Sequence, residues 1–238
     1  MDGTGNYLTS EMITDPPSPP LEATLRIPEA ARDGAPLIVL MHGRGSDRDD
    51  LATLADSFPE DAVLAFPDGP FAGAPWGYGP GRAWYRFLGG AMPEPESFEG
   101  GQQALAGWLD ALRASLPVRT GPLILGGFSQ GGTSAIGYAV RNPGKVHGVL
   151  NWSGFVPDHP SVGPHRDHCD GLHVFWGHGT ADGNVPYALA VSGRAMLGSA
   201  GAMVTAFDHS SGHTITRDEL AETERWMAAT LAAATDRR

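Results

Sequence analysis

Short apolar runs that do not alternate with polar residues recur along the chain and predict the strands of a sheet. The first two run from Leu37 to Met41 and from Ala62 to Phe66. An apolar run of this length without alternation is typical of a strand buried on both faces of a parallel sheet. Four later runs predict four further strands: Leu123 to Leu125 before a glycine-rich turn, Val146 to Asn151, Leu172 to Trp176, and Met203 to Phe207.

Between these runs, apolar residues recur at helical spacing and predict amphipathic helices. The clearest pattern places five side chains along one helix face: Leu105, Trp108, Leu109, Leu112 and Leu116. Two helices have predicted N-terminal caps, Ser46 with Asp49 and Thr216 with Glu219. Four further helices are predicted. One is marked by Leu51, Leu54, Ala55 and Phe58, and one by Ile136 and Val140; the last two run from Tyr187 to Leu197 and from Thr216 to about Ala233. Because strands alternate with helices, we predict an α/β fold with one mostly parallel sheet and helices on both faces.

The N-terminal part of the chain is expected to add an antiparallel edge to this sheet. Residues 1–20 are predicted to be a partly disordered segment, although Tyr7 to Ile13 has the pattern of a short strand. Leu21 to Ile27 predicts a second short strand. The prolines between them cannot join a strand ladder, so they predict a loop between edge strands. Residues 21–238 contain no repeat and no linker, and we predict that they form a single domain.

Charge and composition narrow the classes of partner. The formal net charge is −11 at pH 7 and Lys and Arg form no run, so nucleic acid and anionic membrane surfaces are poor candidates. No segment reaches about 18 apolar residues and the N-terminus has no apolar leader, so no membrane span is expected. The single cysteine, Cys169, excludes an intrachain disulfide. These features predict a soluble cytoplasmic protein, either a monomer or a homodimer.

The strand that begins at Leu123 ends in Gly127-Phe128-Ser129-Gln130-Gly131, and a helix is predicted to begin at once. A G-x-S-x-G pattern between a strand and a helix is typical of a nucleophile turn. So abrupt a turn requires an uncommon backbone conformation, and its neighbours must be glycine or very small. The turn would hold the Ser129 hydroxyl above the sheet at the positive end of the helix. Ser129 is therefore the candidate nucleophile, provided that suitable partners lie nearby.

Asp182 and His213, like Ser129, each follow the C-terminal end of a predicted strand. Open α/β sheets bind ligands at this edge, and a serine hydroxyl needs an imidazole base and a carboxylate that orients the base. The order Ser, Asp, His along the chain is that of α/β hydrolases. Three alternatives in nearby segments stay open: His209 as the base, and Asp158 or Asp170 as the acid.

Two segments are predicted to supply backbone donors for an oxyanion hole. His42-Gly43-Arg44-Gly45 directly follows an earlier strand and offers one N–H group. The N–H of Gln130, one residue after the nucleophile, offers a second. His42 and His178, each beside glycine in a tight turn, are interpreted as structural hydrogen-bonding residues. Elements from four strand ends thus agree on a centre for acyl transfer.

Together these motifs resemble the phospholipase/carboxylesterase family of α/β hydrolases, which includes bacterial carboxylesterases and acyl-protein thioesterases. The matching segments span most of the chain: His42-Gly43-Arg44-Gly45, Ala83-Trp84-Tyr85, Gly127-Phe128-Ser129-Gln130-Gly131-Gly132, Trp152-Ser153-Gly154, His178-Gly179-Thr180-Ala181-Asp182 with Val185-Pro186, and Gly212-His213-Thr214-Ile215. The resemblance implies the α/β-hydrolase fold, with Ser129 as nucleophile, Asp182 as acid and His213 as base. It also implies that the amides of Arg44 and Gln130 form the oxyanion hole. The Arg44 side chain departs from the family, which usually has an apolar or aromatic residue there.

We therefore interpret the chain as a serine carboxylesterase that acts through an acyl-enzyme and needs no cofactor. Its expected partner is a small-molecule ester with a short to medium acyl chain, or a thioester. Dienelactone-hydrolase-like or perhydrolase chemistry on the same three residues is an alternative. A non-catalytic α/β-hydrolase fold used as a binding module is another, but the complete set of candidate residues favours an enzyme.

Residues 67–96 form the longest stretch without predicted regular structure, and their many aromatic residues make them candidates for pocket walls. The candidate substrate-binding residues are Trp76, Trp84 and Tyr85, together with Phe155 from a later loop. The segment after Asn151, irregular from about 153 to 170, is too short for a large lipase-like cap. No interfacial activation is therefore expected.

A second polar cluster has the residue types of a metal site: His165, Asp167, His168, Cys169, Asp170 and His173. Nitrogen and sulfur ligands of this kind suit zinc. The spacing follows no established structural zinc pattern, however, and a polar connecting loop explains it without a metal. We therefore predict no metal site in this segment.

Overall fold

The structure is a computed structural model that describes residues 21–29 and 31–235. In chain order the strands are β1 (Ala23–Arg26), β2 (Leu37–Met41), β3 (Val63–Pro67), β4 (Phe71–Ala72), β5 (Arg82–Ala83), β6 (Phe87–Gly89), β7 (Met92–Pro93), β8 (Leu123–Phe128), β9 (Gly148–Trp152), β10 (His173–Gly179) and β11 (Met203–His209). The helices are α1 (Pro95–Ser115), α2 (Gln130–Arg141), α3 (Arg166–Cys169), α4 (Tyr187–Ser199) and α5 (Arg217–Thr235). The predictions for residues 1–20, including the strand from Tyr7 to Ile13, lie outside the described residues.

Seven strands form the central sheet in the order β1-β3-β2-β8-β9-β10-β11. β1 pairs antiparallel with β3, and the other neighbours in this sheet pair in parallel. The predicted α/β-hydrolase fold, mostly parallel with an antiparallel N-terminal edge, is confirmed. The parallel register brings the C-terminal ends of β2, β8, β10 and β11 to one edge, which is where such sheets bind ligands.

The unalternating apolar runs are explained by burial on both faces of the sheet. In β2, Leu37, Val39 and Met41 pack into the core that includes residues of α1, α2 and α4. Ile38 and Leu40 face the opposite core, which contains Trp226 and Met227 of α5. The inner strands β2, β3, β8, β9 and β10 therefore need apolar residues at consecutive positions, because both of their faces are covered.

The helix predicted around Leu51 is a short 3-10 segment, Leu51–Ser57, and its predicted cap of Ser46 with Asp49 is wrong. No side chain caps this segment. The carboxylate of Asp49 instead accepts a hydrogen bond of 2.8 Å from the hydroxyl of Thr24 in β1. The N–H of Asp49, which the predicted cap would pair with Ser46, donates to Asp47 Oδ1 (3.0 Å) instead.

The cap predicted for the last helix is confirmed. The N–H of Glu219 donates to Thr216 Oγ1 (3.1 Å), and the N–H of Thr216 donates to Glu219 Oε2 (3.2 Å). Each side chain thus satisfies a backbone donor that the first turn of α5 leaves free. None of the described helices is both long enough and apolar enough to cross a membrane.

The stretch 67–96 is more regular than predicted. It contains two small antiparallel sheets, β4 with β5 and β6 with β7. The backbone N–H of Phe87 also donates to the hydroxyl of Tyr78 (2.8 Å), which ties the two parts together. Similarly, the segment 153–170 contains the one-turn helix α3. The aromatic stretch is therefore a scaffold held by backbone pairing.

Candidate active site

Ser129 lies at the junction of β8 and α2, with φ of 54° and ψ of −112°. This conformation is costly for a residue with a side chain and persists only where surrounding structure imposes it. The Ser129 N–H donates to the carbonyl of Trp152 (2.7 Å), and the Ser129 carbonyl accepts from the N–H of Thr133 (3.0 Å). The turn is therefore held both by the neighbouring strand β9 and by the first turn of α2.

Glycine is required beside Ser129 because β2 lies directly against the turn. A Cβ atom on Gly127 or on Gly131 would lie 2.0 Å from the carbonyl oxygen of Met41. Real Cβ atoms do not approach an oxygen so closely, so a larger residue would force β8 (at Gly127) or α2 (at Gly131) away from β2. The small residues of the motif thus serve contacts with a neighbouring strand as well as the turn itself.

Asp182 and His213 form a direct pair at the same edge of the sheet. His213 Nδ1 lies 2.7 Å from Asp182 Oδ2. The other carboxylate oxygen of Asp182 accepts the backbone N–H groups of Asn184 and Val185, both at 2.8 Å. The carboxyl group is thereby fixed by the turn that follows β10, and one of its oxygens is left to orient the imidazole.

These contacts keep the Asp182 carboxyl group ionised. Burial raises its pKa, but the hydrogen bonds from Val185, His213 and Asn184 outweigh burial, so the net pKa is below its ordinary value. A buried carboxylate that accepts several hydrogen bonds behaves in this way. Asp182 is therefore available near neutral pH as an anionic partner for an imidazolium on His213.

The imidazole of His213 packs beside the nucleophile turn. Its ring centroid lies 4.6 Å from that of Phe128, the residue directly before Ser129. Because Nδ1 is engaged by Asp182, Nε2 is the nitrogen that remains to take a proton from a hydroxyl. His213 and Ser129 both line one cavity, and the structure thus brings the three predicted residues together.

The alternative residues are placed elsewhere. His209 Nε2 lies 3.3 Å from the buried Glu219 carboxylate, beneath the loop that carries His213. Asp158 is exposed, and Asp170 lines a separate cavity with Leu109 and Tyr138. None of the three lines the cavity at Ser129. Asp182 does not line it either, but unlike Asp158 and Asp170 it contacts His213, which does.

His42 and His178 are buried beneath the site. His42 Nε2 accepts the N–H of Gly69 (2.9 Å), so its Nδ1 is the protonated nitrogen and donates to the carbonyl of Gly43 (2.7 Å). His178 Nε2 lies 2.9 Å from the carbonyl of Val185. Burial lowers the pKa of both rings, which favours the neutral form. Their contacts agree with the structural hydrogen-bonding role predicted for them.

The backbone amides predicted for the oxyanion hole lie on two sides of Ser129. Gln130 begins α2, where an N–H group has no acceptor within the helix. Arg44 follows the end of β2 and lines the same cavity as Gln130. Among the described residues, the Arg44 N–H donates no hydrogen bond to another backbone carbonyl. Both groups are thus free to donate to a ligand.

The side chain of Gln130 has a structural role that sequence reasoning missed. Its Oε1 accepts the N–H of Trp84 (3.1 Å), and its Nε2 donates to the carbonyl of Tyr85 (2.8 Å). A buried amide thereby satisfies two backbone groups of the aromatic stretch and ties that stretch to the first turn of α2. The sequence shows a polar residue next to the nucleophile, but it does not indicate which groups that side chain would bind.

The cavity at Ser129 has a volume of about 250 Å³. Of the four predicted substrate-binding residues, Tyr85 and Phe155 line it, and Trp76 and Trp84 do not. Trp84 is fully buried, and its indole N–H donates to the carbonyl of His42 (3.1 Å). Trp76 packs against Phe71, with ring centroids 5.2 Å apart. Two aromatic residues that sequence reasoning missed complete the lining: Phe87 and Phe128.

The segment considered for a metal site provides no cluster of ligands in the described part of the chain. No three His, Cys, Asp or Glu side chains there form a group that could hold a metal ion. Cys169 is buried, and burial raises the pKa of its thiol, which disfavours the thiolate that binds zinc. The side chain of Asp167 lies outside the described atoms.

The sheet and its helices define the class of the protein as an α/β hydrolase. Among solved structures, the chain is similar to the Bacillus cereus carboxylesterase, with a TM-score of 0.76 and 19% identity, over 88% of this chain and 94% of that one. It is also similar to esterase PE8, with a TM-score of 0.73 and 26% identity, over 89% of this chain and 99% of that one.

The sequence comparisons identify the family. The family model described as Phospholipase/Carboxylesterase matches residues 22–231. Acyl-protein thioesterase 1 of Cryptococcus neoformans is 41% identical over 66 residues, which is 27% of this chain and 28% of that protein. The chain thus aligns with less than a third of that curated relative. It belongs to the phospholipase/carboxylesterase family of α/β hydrolases, a family of ester and thioester hydrolases.

Proposed function

We propose that the protein is a serine carboxylesterase that hydrolyses short- to medium-chain esters, and thioesters, through an acyl-enzyme. The observation that carries this proposal is the 2.7 Å contact between His213 and Asp182. His213 of this pair lines the same cavity as Ser129, whose strained conformation is that of an exposed nucleophile. Membership of a family of ester hydrolases supports the same reaction class.

In the proposed acylation step, Ser129 Oγ attacks the ester carbonyl while His213 Nε2 takes the hydroxyl proton. The negative charge that develops on the carbonyl oxygen is stabilised by the N–H groups of Arg44 and Gln130. Asp182 stabilises the imidazolium. The carbonyl then re-forms, the bond to the alcohol or thiol breaks, and His213 returns its proton to the leaving group.

Deacylation repeats these steps with water as the nucleophile. His213 takes a proton from the water, which attacks the carbonyl carbon of the ester on Ser129. Collapse of the second tetrahedral intermediate releases the carboxylic acid, and the proton on His213 returns to Ser129 Oγ. Atoms and charge balance over the cycle, so the proposed reaction requires no cofactor.

The size of the cavity supports small acyl groups. Its volume of about 250 Å³ is below the range of roughly 300–1,000 Å³ usual for drug-sized ligands. Phe87, Phe128 and Phe155 provide apolar contacts for an acyl or aryl group. An acyl chain longer than the cavity would have to extend past the charged residues at its mouth, Arg44 and Asp50.

The proposal is tested with p-nitrophenyl butyrate and four variants. Ser129→Ala and His213→Ala are expected to lower kcat/KM by about 10⁴-fold or more, because the nucleophile and its base act as a unit. Asp182→Asn is expected to cost somewhat less. His209→Ala is the matched control, since this buried histidine lies outside the cavity lining, and it should retain most of the activity that its stability allows.

Covalent labelling gives an independent measurement. An active-site-directed fluorophosphonate should add one group to the wild-type protein by intact mass, and none to Ser129→Ala. Activity retained by Ser129→Ala, or loss of activity in a folded His209→Ala protein while His213→Ala stays active, would contradict the assigned roles.

A further inference from the structure

The side chain of Arg44 is an unpaired cation at the mouth of the cavity. Within the described residues, seven other arginines form ion pairs with Asp or Glu: Arg26, Arg48, Arg86, Arg119, Arg141, Arg194 and Arg225. No described carboxylate lies within ion-pair distance of the Arg44 guanidinium, although the chain carries 27 acidic residues. Arg44 lines the cavity at Ser129 and has no carboxylate partner among the described residues, although the protein is acidic. It is therefore positioned to bind an anion from outside the chain.

Two aromatic rings hold this guanidinium in place. Its central carbon lies 4.8 Å from the ring centroid of Tyr78 and 5.7 Å from that of Phe87. The rings are themselves fixed, because the N–H of Phe87 donates to the Tyr78 hydroxyl (2.8 Å). Stacking on a ring occupies the face of a guanidinium and leaves its N–H groups free at the edge, where they match the two oxygens of a carboxylate. The side chain is therefore preorganised without being satisfied.

The backbone of the same residue places this charge close to the reaction. The Arg44 N–H is a proposed oxyanion donor, so a substrate carbonyl bound there lies next to the residue that carries the guanidinium. The other charged group at the mouth is the Asp50 carboxylate, which also lines the cavity. No ion pair joins Arg44 to Asp50 in the described structure, so the mouth has one cationic and one anionic position.

We propose that Arg44 gives the enzyme a preference for esters that carry a carboxylate near the scissile bond, such as monoesters of dicarboxylic acids or esters of hydroxy acids. This inference rests on the proposed esterase function and adds the chemical class of its substrate. The carboxylate binds the guanidinium edge through two charge-assisted hydrogen bonds. Asp50 opposes binding of the same group elsewhere in the mouth.

The test compares charged and neutral esters of the same shape. On the acyl side, p-nitrophenyl hydrogen glutarate is paired with p-nitrophenyl 5-methylhexanoate, in which an isopropyl group replaces the carboxylate. On the alcohol side, the butyryl ester of glycolic acid is paired with isobutyl butyrate. The measured quantity is the ratio of kcat/KM for the charged ester to that for its neutral partner, each corrected for uncatalysed hydrolysis. The two pairs distinguish a carboxylate on the acid from one on the alcohol.

Wild-type enzyme is expected to give a ratio of about ten or more in at least one pair, since a hydrogen bond to a charged group contributes roughly this factor or more. Arg44→Met should reduce that ratio to about one or below, and Arg44→Lys should give an intermediate value because it keeps the charge without the fork. Asp50→Asn should raise the ratio. Because each ratio is taken within one variant, any effect of the substitution on the oxyanion hole cancels.

Arg113→Met is the matched control, because it removes the same charge at an exposed position that lines a different cavity. The charged-to-neutral ratio of Arg113→Met should equal that of the wild type. If Arg44→Met is insoluble, Arg44→Gln removes the same charge and serves in its place. This inference would be overturned if the wild-type enzyme hydrolysed the neutral esters but gave a charged-to-neutral ratio of one or below in both pairs. That result would leave the esterase proposal intact. A ratio that survives loss of the Arg44 charge would also overturn the inference. Absence of hydrolysis for all four esters would contradict the esterase proposal and this inference with it.

Discussion

Replacing Glu219 by glutamine is expected to remove a loss of stability that the protein undergoes as the pH rises toward 8. The Glu219 carboxyl is fully buried, with Oε1 packed against Gly177 in β10. Its Oε2 accepts the N–H of Thr216 and lies 3.3 Å from His209 Nε2. Burial raises the pKa of Glu219 to about 7, although the hydrogen bond from Thr216 and the charge of Arg194 act against the rise.

The magnitude follows from the difference in pKa between the folded and unfolded chain. A carboxyl whose pKa is raised on folding stabilises the protein below the unfolded pKa, and this contribution is lost as the pH rises through the folded pKa. The stabilising contribution of Glu219 is therefore lost between pH 4.5 and about pH 7. One pKa unit corresponds to about 1.4 kcal/mol, so the cost at high pH is on the order of 3 kcal/mol. Glutamine is neutral throughout and can still accept from Thr216, because Gln serves in a capping box as Glu does.

The assay is urea unfolding of wild-type and Glu219→Gln protein between pH 5 and pH 8. The free energy of unfolding of the variant minus that of the wild type should increase by about 2–3 kcal/mol over this range. Taking this difference matters because His42 and His178 have lowered pKa values, which give the opposite slope below pH 6.5 in both proteins. Glu224→Gln is the control, because it makes the same change at an exposed position of α5.

A difference that stays constant with pH would refute this reasoning. It would mean that the Glu219 carboxyl ionises as easily in the folded protein as in the unfolded chain, through solvation or through a stronger interaction with His209 or Arg194 than the structure implies. A slope of the same size in Glu224→Gln would also refute it, because the effect would then come from net charge alone.

Three further predictions concern packing, substrate and metal. Gly131→Ala should lower the free energy of unfolding by about 1–3 kcal/mol or more through collision with Met41, whereas Gly107→Ala in α1, where a Cβ meets nothing within 4 Å, should be neutral or stabilising in the same urea assay. Among straight-chain p-nitrophenyl esters from acetate to palmitate, kcat/KM should peak at a short or medium chain with no jump above the solubility limit; a maximum at palmitate would contradict the cavity size. Ester hydrolysis should be unchanged by EDTA, and stoichiometric zinc whose removal abolishes activity would contradict the prediction made for the segment from His165 to His173.

The fold was predictable because the inner strands of its sheet are buried on both faces, and such strands have consecutive apolar residues in the sequence. In β2 consecutive residues enter two different cores, so no position tolerates a polar side chain. The segment Leu51–Ser57 was harder, because apolar spacing over two turns does not distinguish a 3-10 helix from an α-helix. The predicted cap is absent because the N–H of Asp49 donates to Asp47, while its carboxylate accepts from Thr24, 25 positions away. Apolar spacing gives no sign of either contact.

The candidate site shows the same division between local and long-range information. The placement of Ser129, Asp182 and His213 at strand ends follows from element order alone. The pocket walls did not follow, because Trp84 and Tyr85 are adjacent residues in the bend just after β5, where no strand alternation indicates which side chain faces the cavity. Tyr85 lines the cavity and Trp84 reaches the carbonyl of His42. Composition cannot decide which of two neighbouring aromatic residues faces the ligand.

The backbone around Asp182 and His213 explains why these side chains can be held at hydrogen-bond distance by loops. β10 and β11 are paired in parallel up to Gly179 and His209, and the pairing continues beyond the strands, where Thr180 N–H donates to the His209 carbonyl (2.7 Å). The pairing of β10 with β11 thus fixes the position of the turn that carries Asp182 relative to the loop that carries His213. α5 closes that loop through Glu219, so the buried carboxyl acts on the same segment that carries His213. If the charge on Glu219 loosens this segment at high pH, activity and stability should decline together in the wild type, and both declines should be smaller in Glu219→Gln.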